Sequence, residues 1–342
     1  MRHLHLWVTL SPSMPHFRRF AQDKRLSAIR VNSAMIYANE MDGELAAAAA
    51  VPDSVPLYFD LKGRQLRIKK VLPFQDHVEL ELNHNIAVQT PTTVLFKGGE
   101  DHARLLEIRS PAADQPQRLV FERGAPRHNL KPGESICIRH PSFAVLDQFF
   151  PPYEVERIKK VASHGWTRYV LSYVESQRDI DEFRDYVGRD VEVVAKIESR
   201  RGLEWVANGY KPQKNLRLLT ARGDLYLEVP RPHEMLEAQR LIIEKDPQAI
   251  VGSRILLSCC RREVPDAADF SELAWLYDIG YRTMMLCDDL CIKEETLARA
   301  VNIFQAFRED YANKRATARI ETPPQQANKP SMLRRLLGLG SR

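Results

Sequence analysis

The chain has 342 residues, of which 44% are apolar and 28% charged, with a formal net charge of +5. That balance excludes a disordered or fibrous chain, and no run reaches the ~20 apolar residues of a membrane-spanning helix. The mild basic excess suits a site for an anionic metabolite, and the 4 scattered tryptophans form no stacking platform, so no nucleic-acid partner is expected.

From the N-terminus, "HLWVTL" has too short an apolar run for a signal peptide and reads as a first strand, which leaves a cytoplasmic protein as the expectation. "MPHFRRFAQDK" follows as a helical pattern, then "SAIRVN" and "NEMDGELAAAAA", then "VPLYFDL". After an interruption the alternation resumes. "YEVERIKKVASHG", "RDIDEFRDYVG", "RRGLEWVANGY", "PHEMLEAQRLIIEK", "DFSELAWLYDIG" and "KEETLARAVNIFQAFREDYANK" read as helices. Between them "RYVLSYV", "VEVVAKIE", "NLRLLTARGD", "AIVGSRILL" and "YRTMMLCDD" read as strands. Parallel neighbours need crossover helices, so eight strand and eight helix signals in alternation predict an α/β fold closed as a (β/α)8 barrel.

The interruption follows the third strand. There "HVELELNH", "TTVLFKG", "ARLLEIRS", "QRLVFERG" and "ESICIRH" alternate polar and apolar residues, separated by turn signals at Gly98-Gly99 and "LKPGES". This predicts an inserted small β-barrel over 69–146, a barrel built from 1–68 plus 147–313, and a Pro-rich linker with a short basic amphipathic tail over 314–342. His84, His102, His128 and His140 lack metal-ligand spacing and read as surface histidines of the insertion. The five cysteines include no CxxC pair and are odd in number, which predicts reduced, buried thiols.

In such a barrel the chemistry sits at the C-terminal ends of the strands. Those ends carry Arg30 and Asn32, Asp60 and Lys62 with Arg67 beyond, Lys196 and Glu198, Arg222-Gly223-Asp224, Ser253 and Arg254, and Asp288-Asp289. Lys196 and Glu198 are two apart and face the same way, so they either pair as a structural salt bridge or serve a site. With Asp224 from the next strand, Glu198 makes a two-carboxylate oxygen site of the kind Mg2+ accepts. Lys196 beside it can stabilise charge on a phosphoryl group or an enolate, and Arg30 and Arg67 add permanent positive charge.

The order of these segments resembles the pyruvate kinase family. "AKIESRRG" is similar to its Lys-Ile-Glu-Asn strand, "TARGDLYLEVP" to its Ala-Arg-Gly-Asp-Leu-Gly segment, and "FDLKGRQLR" to its Asp-Thr-Lys-Gly-Pro-Glu-Ile-Arg. "AIRVNSAMI", "LSYVES" and "GSRILLSCC" are similar to further strands, from about residue 3 to 311, and the insertion lies where that family carries its lid. The resemblance implies that Glu198 and Asp224 bind Mg2+ or Mn2+ and that Lys196 is the catalytic lysine. It implies that the Gly223 and Asp224 amides with Ser253 hold the carboxylate of pyruvate or phosphoenolpyruvate. Arg30 and Arg67 would contact phosphates, ADP or ATP would be the phosphoryl partner, and Asn32 and Asp60 would ligate K+. It also implies that the family's C-terminal domain is missing, which leaves a homo-oligomer open.

The departures from the family cluster in one half of the site. Ala34 and Leu61 replace two oxygen ligands of potassium, and Met35 replaces the histidine near the nucleotide. "VPDAADFSEL" and Cys287-Asp288-Asp289 depart from the motifs after strands seven and eight. The function expected is a Mg-dependent phosphotransferase on phosphoenolpyruvate or a related 2-oxo acid. The alternatives are an enolate-type carbon–carbon lyase and a non-catalytic metabolite-binding homologue.

Overall fold

The computed structural model describes residues 4–37, 39–52, 54–110 and 116–312, so the tail expected over 314–342 lies outside the described residues. Strands β1 (His5–Thr9), β2 (Ala28–Asn32) and β3 (Leu57–Leu61) come first in the chain. The insertion then contributes β4 (Ile68–Pro73), β5 (Val78–Leu82), β6 (Ile86–Ala87), β7 (Thr92–Phe96), β8 (Asp101–Arg109), β9 (Arg118–Phe121), β10 (Ile136–Ile138) and β11 (Ala144–Val145). Strands β12 (Arg168–Leu171), β13 (Glu192–Ile197), β14 (Leu216–Ala221), β15 (Ile250–Gly252) and β16 (Thr283–Met285) complete the chain's sheet elements.

The first three and last five strands close into one barrel in the order β1-β16-β15-β14-β13-β12-β3-β2. Every neighbouring pair is parallel. Strand periodicity then sorts the side chains. A floor of Trp7, Ala28, Tyr58, Val170, Val194 and Leu219 packs as one cluster within the ring. Two residues further along those strands stand Arg30, Asp60, Ser172 and Lys196, and two further again stand Asn32, Lys62 and Glu198. One alternating pattern thus yields an apolar floor and a polar mouth. The opposite faces pack against the outer helices, with Phe59, Leu171 and Ile197 fully buried in that larger cluster.

Several strand readings run too far, among them "YRTMMLCDD", which is strand only over Thr283–Met285. "NLRLLTARGD" ends as a strand at Ala221, because Arg222 opens the helix Arg222–Glu228. "AIVGSRILL" is strand only over Ile250–Gly252, and Ser253, Arg254 and Leu256 adopt positive φ. The inserted strands form an antiparallel sheet in the order β10-β7-β8-β9-β5-β4. It curls until its two ends meet, with Ile68 N donating to Glu134 O (2.9 Å) and Ile136 N to Leu66 O (3.2 Å). Its interior is a separate apolar cluster that includes Leu80, Val94, Phe96, Leu105 and Phe121.

His84 corrects the surface reading: it is buried, with its Nε2 hydrogen-bonded to the Gly63 carbonyl at 2.9 Å. The cysteines are all free, yet Cys260 is exposed while Cys137, Cys259 and Cys291 are buried. Among the described residues no helix is long and apolar enough to cross a membrane.

Candidate active site

The barrel mouth divides into two linked halves. In the first, β2 and β3 run in register with Asn32 opposite Asp60. Asp60 is fully buried. Its Oδ2 accepts from Arg30 Nε (2.7 Å), from Arg30 Nη2 and from Lys62 Nζ (2.8 Å). Lys62 also donates to Asn32 Oδ1, and the Asn32 amide donates to Asp288 Oδ1 at 2.9 Å. Burial alone would raise Asp60, but Arg30, Lys62 and Lys196 hold it well below the usual carboxylate range. Burial pulls Lys62 down to about 7, with Arg30 and Lys196 adding to that and Asp60 opposing it.

Ser172 joins this half to the second. Its hydroxyl lies 3.3 Å from Asp60 Oδ1 and accepts from Lys196 Nζ at 3.0 Å. Gly63 lets these strand ends meet. Its φ is +48°, and a Cβ there would stand 2.7 Å from the Ser172 carbonyl and from the Phe149 ring.

In the second half Lys196 Nζ lies 2.8 Å from Glu198 Oε1 as an ion pair, and Glu198 Oε2 accepts from Tyr173 N at 2.8 Å. Burial pushes Glu198 up to about 7, and the Asp224 carboxyl, within hydrogen-bonding reach, adds to the push against the pull of Lys196. Burial would lower Lys196, yet Glu198, Asp60 and Asp224 keep it above the ordinary lysine value. Asp224 contributes to both rises, after burial on Glu198 and after Glu198 and Asp60 on Lys196.

Arg222 is buried rather than displayed on a turn. Its guanidinium donates to the carbonyls of Gly252 (3.3 Å) and Ser253 (3.1 Å) and to Glu272. That clamp fixes the left-handed backbone of Ser253 (φ 68°) beside Gly223, where a Cβ would stand 3.5 Å from the serine hydroxyl. Tyr173 is likewise held at φ 53° by its amide bond to Glu198. Non-glycine residues in this region are strained, and such strain concentrates at functional sites.

The donors present fit a small divalent cation. Glu198 Oε1 is buried and receives no directed hydrogen bond, and it faces the ion pair and a second carboxylate. Among the described residues no group of three or more His, Cys, Asp and Glu side chains converges. Two carboxylates and a substrate oxygen suit Mg2+, which keeps waters and rarely takes an all-protein cage.

Beside this centre a cavity of about 550 Å³ opens between barrel and lid, with Tyr173, Glu175 and Glu228 on one wall and Cys137, Arg139 and His140 on the other. Tyr173 belongs both to this wall and to the Glu198 contact. The structure thus brings together Lys196, Glu198, Asp224, Gly223 and Ser253, with Arg30, Asn32 and Asp60 joined to them through Ser172. Arg67 stands apart from this cluster, its guanidinium bound to Gln65 Oε1 (2.7 Å) and to the Gly133 carbonyl at the base of the lid. Arg30 is turned inward onto Asp60, with Thr9 Oγ1 at 3.3 Å and Asp288 at 3.5 Å. The linking roles of Ser172, Lys62 and the Tyr173 amide escaped the reading of the sequence. The period-two placement of Ser172 and Lys62 after Val170 and Asp60 was the available signal.

No family model matches the chain. It is 27% identical over 307 residues to a pyruvate kinase of Thermoplasma acidophilum, covering 83% of this chain and 54% of that protein. It is 28% identical over 122 residues to a pyruvate kinase of Hypocrea jecorina, covering 34% of this chain and 22% of that one. The chain therefore spans about half the length of the first of these curated relatives. Among solved structures, a pyruvate kinase from Pyrobaculum aerophilum superposes with a TM-score of 0.67 at 16% identity, over 90% of this chain and 73% of that chain. The barrel with its lid, and the long stretch of shared sequence, are similar to those of pyruvate kinases, from which this chain diverges.

Proposed function

We propose that the chain is a Mg-dependent, pyruvate kinase-like phosphotransferase acting on phosphoenolpyruvate, pyruvate or a related 2-oxo acid, with ADP or ATP as phosphoryl partner. The observation that carries this reading is the buried Lys196–Glu198 pair beside the half-buried Asp224, with one Glu198 carboxylate oxygen left without a directed donor. Glu198 and Asp224 would hold Mg2+ or Mn2+, which when bound supplies a Lewis acid for an enolate or phosphoryl oxygen.

The protein's own groups do the rest. Ser172 orients the Lys196 ammonium, which stays protonated beside its two carboxylate neighbours and meets the negative charge of the transferring group. Gly223 brings its backbone close to Ser253, and the Arg222 clamp fixes that approach, which suits a substrate carboxylate held by amides and a hydroxyl. Tyr173 fixes Glu198 from the cavity side.

Phosphoenolpyruvate, ADP and Mg2+ are expected to give pyruvate and ATP in a coupled assay. Lys196→Met is expected to lower kcat by about 10²–10³-fold while calorimetry still finds Mg–oxalate bound. Absence of both turnover and Mg–oxalate binding in the unaltered protein would remove the proposal. Pyruvate release from a 4-hydroxy-2-oxo acid in place of phosphoryl transfer would reassign the same centre to a lyase.

A further inference from the structure

The family resemblance implies potassium at Asn32 and Asp60, and the residues present do not fit it. A hard monovalent cation needs oxygen lone pairs that no other donor has taken. Asn32 Oδ1 accepts from Lys62 Nζ and from Ala34 N at 3.1 Å. Asp60 Oδ2 accepts from Lys62 and Arg30, and its Oδ1 lies beside the Ser172 hydroxyl. Ala34 and Leu61 bring no side-chain oxygen to the same place.

We infer that the ε-amino group of Lys62 occupies the position of a monovalent cation, so that this chain builds its substrate site without potassium. This deepens the proposed function, since it concerns the same barrel mouth. The placement is built rather than incidental. The Lys62 backbone amide donates to the fully buried Glu154 carboxylate at 2.9 Å, which fixes the point from which the side chain starts. Asn32 is turned by its amide bond to Asp288, so that its oxygen faces the amine. In either protonation state the amino group has N–H bonds to give to both oxygens. A potassium ion here would sit against the amine and a guanidinium already bound to Asp60, and like charges at such range repel strongly in a buried setting.

The test compares the unaltered protein in potassium and in tetramethylammonium at equal ionic strength, pH and Mg2+. Calorimetric affinity for oxalate with Mg2+ is expected to agree within about twofold, whereas affinity about tenfold tighter in potassium would overturn the inference. Thermal midpoints without oxalate give a second reading that does not depend on the proposed function. Equal midpoints in the two salts support the inference, and stabilisation specific to potassium overturns it. Lys62→Met is expected to gain a potassium- and thallium-dependent rise in midpoint, because it removes one donor from each oxygen and the amine from the space between them. Should that variant fail to fold, Lys62→Gln, whose amide keeps N–H donors for these oxygens, is expected to show a weaker version of the same gain. A lysine variant that folds equally well in both salts would overturn the inference. If oxalate binds in neither salt, the proposed function falls while the midpoints still decide the question of Lys62.

Discussion

Asp60 holds more of the mouth together than any other side chain in it. It has no exposure to water and answers two buried cations, Arg30 and Lys62, while touching Ser172. Removing one member of a buried charge set strands the others, which typically costs about 3–5 kcal/mol. Asp60→Asn preserves shape and is expected to lose stability in that range, measured by denaturant unfolding at pH 7. The pH dependence has a definite sign. Asp60 is held below its ordinary 3.8, so it releases its proton more readily folded than unfolded. Its contribution is full above about pH 4 and declines as pH falls below that value. The gap between the unaltered protein and Asp60→Asn is therefore expected to stay constant from pH 7 to 5 and to shrink below 4. A gap that narrows already near pH 6 would show that another group controls the corner.

The helix Arg222–Glu228 is the element that ties lid to barrel. Cys137 Sγ on β10 donates to Glu228 Oε1 at 3.3 Å, and Arg139 Nε donates to the Leu227 carbonyl. Burial pushes Glu228 up to about 7; Glu175 and Glu198 add to this, and the Cys137 hydrogen bond and Arg139 oppose it. Its value is raised on folding from 4.5, so the docked arrangement binds an extra proton between about pH 4.5 and 7 and loses stability as pH rises through that window. Amide exchange in β10, corrected for intrinsic rates, is expected to quicken from pH 6 to 8 and to lose this dependence in Glu228→Gln. Equal profiles for the two proteins would refute the latch. The strands bordering this helix were readable from their period-two runs, because Val194-Lys196-Glu198 alternates whatever surrounds it. The ends were not readable. Arg222 leaves the strand because its guanidinium finds two carbonyls of β15 and its neighbour, and that partnership spans 30 residues. Ser172 likewise links Asp60 to Lys196 only once the barrel has closed, so its period-two place after Val170 marks its face but not its partners.

Across the whole molecule the apolar interior is divided. The barrel cluster and the lid cluster share no residue, and the candidate site lies where polar groups from both meet. Cooperative units tend to follow such clusters, because each buries its own surface and loses it together. Leu80 is wholly buried in the lid's apolar interior, paired in register with Leu119. Truncating a buried leucine to alanine removes transfer energy and leaves a cavity, typically costing about 2–5 kcal/mol. In Leu80→Ala that loss is expected to appear as faster exchange throughout β5, β7, β8 and β9, with β12, β13 and β14 unchanged. The chemistry should follow the same division. Lys196, Glu198 and Asp224 are carried by the barrel, so calorimetric binding of Mg2+ with oxalate is expected to persist in this variant. On the proposed function, turnover would need the cavity closed by β10, so kcat should fall by more than the affinity does. Exchange that quickens equally in lid and barrel would show a single cooperative unit, and the site would then depend on the lid for its assembly as well as its closure.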